Sequence, residues 1–537
     1  MKIVLAEKVS PATLAVFKTE PTWQVLTHDQ VKSLPEELAD ADGLVVRSAV
    51  QVNEALLASA PKLRVIGRAG VGVDNIDADA ATRHGIVVMN TPGANAIAVA
   101  ELTLGMMIAL ARQIPKATNT MHDGKWEKKS LQGVELRGKK LGVLGLGRIG
   151  LEVARRARSF GMELIGHDPF VSAAVARENA IKLVTTEELF READYLTLHV
   201  GLTPQTTGII NASTLGTMKK GVRIINCARG ELIIEEALAE ALKSGQVGGA
   251  ALDVFHQEPP KNSPFFGLEN VVLTPHIAGS TAEAQEAVGI QIALQVREYL
   301  KLGVVQNAVN LPSLTHEEYL ELSPYMTLAE RLGTFVAQFT PGSIESIHLA
   351  YNGRISESKT DLIRNAAVEG VLGHSDQVNR INAASVAAER GIRIHEEKKE
   401  VASGGAGNVI KLTLHTSAGD VTASGTVLHQ SSARLLSLDG IDIEAPLQGT
   451  LLTIRNQDVP GVIGRVGTIL GDHKINIANF ALGRADSNHR KQGTALAVVQ
   501  IDGEVTEAVL KSLRSVEAIT DVRFVSLGAA QPPAPVE

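Results

Sequence analysis

Three side chains suited to acid–base chemistry lie far apart in the chain, each just after a run that reads as a buried strand: Arg229 in INCARG, Glu258 in LDVFHQEPP and His276 in LTPHIAGS. Imidazoles and carboxylates move or hold protons, and a guanidinium binds anionic oxygens through its planar fork. Singly, each has a plainer interpretation: a solvated Arg, a loop Glu or a structural His. Together they indicate a catalytic site, if the fold brings them to one place.

A glycine pattern precedes these residues. The stretch LGVLGLGRIG places Gly145, Gly147 and Gly150 between a predicted strand and a predicted helix. The spacing permits a sharp turn, close approach of the backbone to a pyrophosphate and tight packing of helix on strand, although a plain turn also fits the glycines alone. The next strand ends at Asp168, which is placed to bind both ribose hydroxyls, and no Arg follows it. The pattern favours NAD over NADP.

Residues 1–310 alternate short β-branched runs with helical patterns. Strands separated by helices imply βαβ units and parallel sheets. Because the candidate strands are too many for one comfortable sheet, we predict two α/β lobes. Ligands of doubly wound sheets bind beyond the carboxyl ends of the strands, so Arg229, Glu258 and His276 are expected near the cofactor crevice.

The three strand-end motifs resemble the signatures of the D-isomer-specific 2-hydroxyacid dehydrogenases, in which N-x-A/S-R-G is followed by D-V-F-x-x-E-P and T-P-H-x-A/G. The resemblance covers residues 1–310. It implies that His276 takes a hydroxyl proton as hydride leaves the substrate for NAD, that Glu258 orients this imidazole, and that Arg229 holds the substrate carboxylate or carbonyl oxygen. The cofactor contacts expected with it are Gly145, Gly147, Arg148, Ile149, Gly150, Asp168, Ala228, Asp253 and Gly279.

Two basic segments of the first lobe end predicted strands and could face the cleft: VVRSAV with Arg47 and GRAGVGVDN with Arg68. The glycine turn of the second segment offers backbone N–H groups to a carboxylate, while the alternative is a structural turn beside a surface Arg. With TPGANAIAVAE and HDGKWEKK, these segments resemble the phosphoglycerate dehydrogenase branch of the family. That resemblance implies 3-phosphoglycerate as substrate, with contacts from Arg47, Ser48, Arg68, Gly70, Val71, Gly72, Asn95 and Lys128.

The chain departs from the family pattern at a few positions. Lys128 lies in a loop that the resemblance directs to a neighbouring subunit's site, where the family often carries Arg. Lys cannot form the planar bidentate pair of Arg, so its phosphate contact is in question. Gly201 and Glu231 stand where the family usually has Pro and Gly, which could change cofactor affinity. None of these departures removes a catalytic side chain.

The pattern changes twice beyond the linker NAVNLP (Asn307–Pro312). Residues 313–445 mix helices with polar strands such as Val409–His415 and resemble the intervening domain of the longer phosphoglycerate dehydrogenases, which are tetramers. Residues 449–529 follow a β-α-β, β-α-β order that predicts a ferredoxin-like domain. This part resembles the ACT domain, and the resemblance places Asn476 on an L-serine effector. The alternative is a dimerisation domain that binds nothing.

The predicted fold class is α/β, with two Rossmann-like doubly wound lobes for substrate and NAD. An α+β intervening domain and a ferredoxin-like βαββαβ ACT domain follow, and the Pro/Ala-rich tail is expected to be disordered. The expected boundaries are 1–91 with 288–311 for the substrate lobe, 92–287 for the NAD lobe, 312–447 for the intervening domain, 448–529 for the ACT domain and 530–537 for the tail.

Composition limits the compartment and the partners. The net charge of −7 argues against a nucleic-acid partner. The apolar run from Leu102 to Ala111 has about half the length that a membrane span needs. The single cysteine, Cys227, excludes an internal disulfide and fits a reducing, cytoplasmic compartment. No metal site is predicted.

Three functions stay open. The first is a dehydrogenase for 3-phosphoglycerate, at the first committed step of L-serine synthesis, whose side reaction could be the reduction of 2-oxoglutarate. The second is another enzyme of the fold, such as a glyoxylate or hydroxypyruvate reductase. The third is an NAD-sensing binding protein resembling the C-terminal-binding corepressors. The regulatory tail favours the first over the second, and the complete Arg/Glu/His set favours an enzyme over a corepressor.

Overall fold

The first lobe is a five-stranded parallel sheet between two apolar cores. Alternate residues of its strands belong to opposite cores, which explains why runs such as GLVV are apolar throughout. The strands are β1 (Lys2–Leu5), β2 (Gln24–Leu26), β3 (Gly43–Val46), β4 (Val65–Arg68) and β5 (Val87–Met89), in the order β2-β1-β3-β4-β5. The helices are α1 (Pro11–Lys18), α2 (Leu34–Leu38), α3 (Glu54–Ala58) and α4 (Ala78–Arg83).

The second lobe is a seven-stranded sheet in which every described pair is parallel. Its strands are β6 (Lys140–Leu144), β7 (Glu163–His167), β8 (Lys182–Leu183), β9 (Tyr195–Leu198), β10 (Val222–Asn226), β11 (Val247–Leu252) and β12 (Val271–Leu273). Its helices are α5 (Ala96–Arg112), α6 (Ile114–His122), α7 (Arg148–Ser159), α8 (Ala173–Glu178), α9 (Thr186–Glu192), α10 (Ala212–Thr217) and α11 (Glu235–Lys243). The order β12-β11-β10-β9-β6-β7-β8 reverses beside β6, where doubly wound sheets bind dinucleotides.

The chain then returns to the first lobe through one long helix, α12 (Ala282–Leu302). Ile292 and Val296 of α12 belong to the same apolar core as Val65 of β4. The segment after α12 is tied to β5, since the Val88 N–H donates to the side chain of Asn310 at 2.9 Å. The expected boundary at 287/288 falls inside α12, because a continuous helix carries the chain from one lobe to the other.

The third unit packs helices on one face of a six-stranded mixed sheet. Its helices are α13 (His316–Phe339), α14 (Thr360–Leu372) and α15 (Ala383–Glu389). Its strands are β13 (Ile344–Asn352), β14 (Arg393–Lys399), β15 (Val409–Thr416), β16 (Gly419–Leu428), β17 (Ser432–Leu438) and β18 (Ile441–Pro446), in the order β14-β13-β15-β16-β17-β18. Only β13 and β14 pair in parallel among these described strands.

The fourth unit is a four-stranded antiparallel sheet with two helices. Its elements are β19 (Thr450–Gln457), α16 (Val462–Asp472), β20 (Asn476–Arg484), β21 (Thr494–Asp502), α17 (Glu507–Arg514) and β22 (Ile519–Ser526). The order β20-β21-β19-β22 is that of the ferredoxin-like fold, as predicted. The predicted fold class is therefore confirmed for all four units.

The computed structural model describes residues 1–312, 314, 316–340, 342–373, 378–399, 407–485 and 493–527. The predicted disordered tail, 530–537, lies outside these ranges. The apolar helix predicted over Glu101–Gln113 is part of α5, which packs in the core of the second lobe. No single described helix is long and apolar enough to cross a membrane; α5 and α6 reach that threshold only as a pair bent by 65°.

Candidate active site

The glycine loop joins β6 to α7. Gly145 has φ +94°, and a β-carbon there would lie 2.5 Å from the carbonyl oxygen of His199. A β-carbon on Gly150 would lie 2.0 Å from the carbonyl oxygen of Gly145. Around Gly147, by contrast, no heavy atom of the described chain lies within 4 Å of the β-carbon position. The backbone packs tightly against Gly145 and Gly150, whereas the space beside Gly147 is free. A phosphate can therefore reach the N–H groups that begin α7.

Asp168 follows β7 and is fixed beside this loop. Its Oδ2 accepts a hydrogen bond from the Leu146 N–H at 2.8 Å, and its Oδ1 accepts one from the Phe170 N–H at 2.8 Å. Both bonds hold the carboxylate at the carboxyl end of the strand next to β6. A ribose at the switch point would meet this acid, so the residues present fit an NAD molecule.

The other predicted cofactor contacts lie around the same end of the sheet. Arg148 begins α7, and its guanidinium donates to the carbonyl oxygen of Pro92. Ile149 is half-buried against the core of the second lobe. Ala228 and Gly279 lie in the loops that follow β10 and β12. The fold therefore gathers these residues at the carboxyl ends of β6, β10 and β12.

His276 and Glu258 form an imidazole–carboxylate pair. Nδ1 of His276 lies 2.6 Å from Oε2 of Glu258, whose Oε1 accepts the Phe255 N–H at 3.0 Å. The hydrogen bond that His276 donates to Glu258, opposed by partial burial, raises the pKa of His276. Desolvation alone would raise the pKa of Glu258, but the hydrogen bonds from His276 and Phe255 outweigh it and lower that pKa. A carboxylate accepts from Nδ1, so Nε2 is the nitrogen left to exchange a proton with a substrate.

Asp253 anchors the segment that carries His276. Its fully buried carboxylate accepts the Thr274 hydroxyl at 2.6 Å, the Ile277 N–H at 2.9 Å and the Ala278 N–H at 2.9 Å. Its carbonyl oxygen accepts the His276 N–H at 2.8 Å. His276 has φ +52°, an uncommon conformation that these bonds support. The Asp253 side chain, which was predicted to contact the cofactor, thus bonds the loop that carries His276.

Arg229 lies between the two lobes. Its Nε donates to Oδ2 of Asp74 at 3.0 Å, and its Nη1 donates to the carbonyl oxygen of Ala228 at 2.7 Å. A β-carbon on Gly72 would lie 1.9 Å from Nη2, so the guanidinium rests against the glycine turn of the first lobe. The hydrogen bond and desolvation have the larger effects on the pKa values of Glu258 and His276. The positive charge of Arg229 adds a smaller effect that lowers both. The charge of Arg229 therefore acts at the imidazole–carboxylate pair, as the predicted site requires.

The predicted substrate contacts of the first lobe follow β3 and β4. Arg47 and the exposed Ser48 lie in the turn after β3. Arg68 ends β4 and folds over the Gly70–Gly72 turn, since a β-carbon on Gly70 would lie 1.4 Å from its Nη1. Within that turn, the carbonyl oxygen of Val71 accepts a bond from the Asn90 side chain at 2.6 Å. The glycine turn and Arg68 thus lie on the side of Arg229, while Nη1 of Arg47 donates to the carbonyl oxygen of Lys8 at 3.3 Å.

Two polar atoms at this cleft lack partners in the described chain. They are Nε of Arg68 and Oδ1 of Asn95, both buried. Burial, followed by the nearby charge of Arg229, lowers the pKa of Arg68. Buried polar atoms are normally hydrogen-bonded, so these two are suited to the polar groups of a bound ligand.

Two predicted residues lie apart from this cleft. Lys128 belongs to the exposed segment 121–130, and within the described residues it makes no hydrogen bond to the site. Asn476 begins β20 in the fourth unit, where its Nδ2 donates to Oδ2 of Asp502 at 2.8 Å. The structure therefore does not bring either residue to Arg229.

Sequence reasoning missed polar residues that hold the site together. The motif GRAGVGVDN contains Asp74 and Asn75, but their partners lie far away in the chain, such as Arg229 at a separation of 155 residues. Glu7, which follows β1, bonds the backbone of the turn after β3. The sequence shows only that each of these polar residues follows a buried strand. That position does not indicate which residue each one bonds.

Three family profiles match successive parts of the chain. The D-isomer specific 2-hydroxyacid dehydrogenase NAD binding domain matches residues 104–278. The D-3-phosphoglycerate dehydrogenase intervening domain matches residues 321–439, and the ACT domain matches residues 450–518. The resemblances drawn from the motifs are confirmed.

Curated relatives match along the whole length. The D-3-phosphoglycerate dehydrogenase of Methanocaldococcus jannaschii is 41% identical over 530 residues, covering 98% of this chain and 100% of the relative. That of Bacillus subtilis is 38% identical over 528 residues, covering 98% and 99%. The human enzyme of this name is 41% identical over 408 residues, covering 75% and 76%.

Solved structures match somewhat more than half of the chain. The TT0316 protein of Thermus thermophilus is 33% identical with a TM-score of 0.53, covering 57% of this chain and 100% of that one. The NAD-dependent formate dehydrogenase of Staphylococcus aureus, solved in complex with NAD, is 28% identical with a TM-score of 0.52, covering 58% and 100%. With an NAD-binding dehydrogenase domain, an intervening domain and an ACT domain in this order, the chain belongs to the D-3-phosphoglycerate dehydrogenase family.

Proposed function

We propose that the chain oxidises 3-phospho-D-glycerate to 3-phosphooxypyruvate with NAD, the first committed step of L-serine biosynthesis. Relatives named D-3-phosphoglycerate dehydrogenase over nearly the whole chain support this substrate. The observation that carries the chemistry is the 2.6 Å contact between Nδ1 of His276 and Oε2 of Glu258, with Arg229 beside it. A base, its orienting carboxylate and an anion-binding group are what the oxidation of a 2-hydroxy acid requires.

Each side chain has a distinct part in this proposal. Neutral His276 takes the proton of the substrate's C2 hydroxyl on Nε2, while Glu258 stabilises the charge that develops on the ring. NAD, when bound, supplies the ring that accepts hydride from the same carbon. Arg229 holds the substrate carboxylate with its planar fork. The phosphate and carboxylate contacts of the first lobe are proposed for Arg47, Ser48, Arg68, Gly70, Val71, Gly72 and Asn95.

We propose that the cofactor lies along the glycine loop, with its ribose on Asp168. The open face of Gly147 and the fixed carboxylate support NAD in preference to NADP, because a 2′-phosphate would meet an anion there. The remaining contacts are proposed for Gly145, Arg148, Ile149, Gly150, Ala228, Asp253 and Gly279.

The substrate assignment is tested by NADH formation from a panel of 2-hydroxy acids. We expect turnover with 3-phospho-D-glycerate and little with D-lactate or D-glycerate, because these two acids have no second anionic group for Arg47 and Arg68 of the first lobe. D-2-hydroxyglutarate has a second carboxylate, so its oxidation reports the side activity. Activity on one of the others with none on 3-phospho-D-glycerate would assign the chain to another 2-hydroxy acid. The reverse reaction with 2-oxoglutarate, which we propose as a side activity, is read in the same assay as loss of NADH.

We also propose that the enzyme is a cytoplasmic homotetramer inhibited by L-serine at Asn476, and that Lys128 reaches a neighbouring subunit. The ACT domain supports a small-molecule effector, and the exposed position of the 121–130 segment supports contact with a second copy. The proposed domains keep the boundaries 1–91 with 288–311, 92–287, 312–447 and 448–529. An L-serine inhibition curve for wild type and Asn476→Ala, with light scattering for mass, tests these points. No inhibition, or inhibition unchanged in the variant, would contradict the effector site.

A further inference from the structure

Two adjacent residues after the glycine turn reach different parts of the site. Oδ2 of Asp74 accepts from Nε of Arg229 at 3.0 Å. Nδ2 of Asn75 donates to the carbonyl oxygens of Arg47 at 3.0 Å and of Val50 at 2.7 Å. One dipeptide therefore links the proposed anion-binding Arg of the second lobe to the proposed substrate turn of the first.

The orientation of Arg229 depends on the opposite lobe. Its own lobe holds Nη1 through the carbonyl oxygen of Ala228 at 2.7 Å, and Asp74 of the first lobe holds Nε. With these two donors engaged, Nη2 is directed at the Gly72 turn, where a β-carbon would lie 1.9 Å away. The guanidinium is therefore presented to the substrate turn only when both lobes are in this arrangement.

Asp74 places a negative charge beside the site proposed for an anionic substrate. An anionic side chain beside a site for an anionic substrate opposes substrate binding by Coulomb repulsion. Burial is the main cause that lowers the pKa of Arg68, and the charge of Arg229 lowers it further. The charge of Asp74 acts in the opposite direction, so it balances part of the positive charge of the two arginines. Asp74 is also 63% exposed, and exposed ion pairs contribute little to stability. Positioning of Arg229 is the role that remains.

The turn after β3 is held from both sides. Oε1 of Glu7 accepts the N–H groups of Arg47 at 2.8 Å and of Val50 at 3.1 Å. Asn75 bonds the carbonyl oxygens of the same two residues. The backbone of the turn is therefore fixed by side chains rather than by strand pairing, and the loss of Asn75 releases one side of it.

We propose that Asp74 and Asn75 are paired positioning residues: Asp74 orients Arg229 across the cleft for the chemical step, and Asn75 holds the Arg47–Val50 turn for substrate binding. The inference rests on the proposed function, because it assigns parts to residues that act through Arg229 and Arg47. Neighbouring residues should then give opposite kinetic signatures, which a shared structural role would not produce.

The test measures kcat and KM for 3-phosphoglycerate at saturating NAD, with thermal unfolding as the check on folding. Asp74→Asn should lower kcat roughly 10- to 100-fold, with a rise in KM no greater than that of Asn75→Ala. The misplaced Arg229 still attracts the substrate carboxylate but no longer aligns the substrate with His276 and NAD. Asn75→Ala should raise KM about three- to tenfold with kcat nearly unchanged, because hydrogen bonds to a binding turn are lost. Asp79→Asn, an exposed residue of α4, removes the same charge and should match wild type.

A double-mutant comparison distinguishes positioning from structure. Asp74→Asn combined with Arg229→Lys should be no slower than Arg229→Lys alone, because Asp74 acts through the guanidinium. Additive losses, or equal falls in kcat and in unfolding temperature for Asp74→Asn and Asn75→Ala, would overturn the inference. The variants are compared on whichever 2-hydroxy acid the wild type oxidises, so failure on 3-phosphoglycerate overturns the substrate assignment separately. Full activity of Arg229→Lys would overturn the proposed role of Arg229 and the inference with it.

Discussion

Asp253→Asn exchanges one buried carboxylate oxygen for an amide nitrogen at the anchor of the His276 segment. The carboxylate accepts from the Thr274 hydroxyl and from the N–H groups of Ile277 and Ala278, and it is fully buried. An Asn side chain has one acceptor oxygen, so in either orientation its NH₂ group faces a backbone N–H. At least one backbone donor is then left without an acceptor.

The magnitude follows from those three bonds. A buried donor left unsatisfied costs about 1–3 kcal/mol. The bonds that persist lose their charge assistance, which is about half of their strength. We therefore expect the segment after β12 to be less stable against local opening by roughly 2–4 kcal/mol. At about 1.36 kcal/mol for each factor of ten, the open population rises roughly 30- to 900-fold.

The assay is amide hydrogen exchange of Ile277 and Ala278, with kcat and NADH affinity measured on the same sample. Exchange should accelerate by the factor above, and kcat should fall because His276 is no longer held in place. NADH affinity should fall by a smaller factor than kcat, because the bonds of the carboxylate go to the loop that carries His276. Unchanged exchange and kcat with weakened NADH binding would contradict the anchoring role, because the Asp253 side chain would then act only through its proposed cofactor contact.

Three further variants test the cofactor loop and the base. Glu258→Gln removes the carboxylate that raises the pKa of His276, so the acid limb of the kcat/KM profile for oxidation should move to lower pH; an unmoved limb contradicts the pairing. Asp168→Ala should weaken NAD and relax the exclusion of NADP, and identical affinities would count against a ribose contact. Gly150→Ala, whose new carbon would lie 2.0 Å from the carbonyl oxygen of Gly145, should abolish NADH binding by fluorescence titration; an unchanged Kd would show that the loop does not hold the cofactor.

The fold of the first two lobes and of the last unit could be predicted because local patterns determine it. Buried parallel strands read as continuous apolar runs, and the three-glycine spacing places the turn between β6 and α7. The six-stranded sheet was harder, because its strands expose one polar face. In β14, the sequence RIHEEKK of Arg393–Lys399 is almost entirely exposed and lacks the apolar alternation that indicates a strand.

The candidate site was predictable in its residue types and less so in its contacts. Arg229, Glu258 and His276 each follow a buried strand, and the carboxyl ends of parallel strands share one edge of the sheet. Asp253 obeys the same rule, yet its side chain bonds the loop after β12. The contact between Asp74 and Arg229 depends on how the two lobes pack against each other, and no local sequence pattern predicts that packing.

Whether His276 is the base is decided by the turnover of His276→Ala with NAD and 3-phosphoglycerate, measured with NADH binding on the same preparation. His28→Ala, at an exposed residue far from the site in sequence, is the matched control. We predict a fall in kcat of about 100-fold or more for His276→Ala, with NADH affinity retained and the control unaffected. Turnover within a few-fold of wild type would contradict it, because the imidazole beside Glu258 would then not be the group that takes the proton.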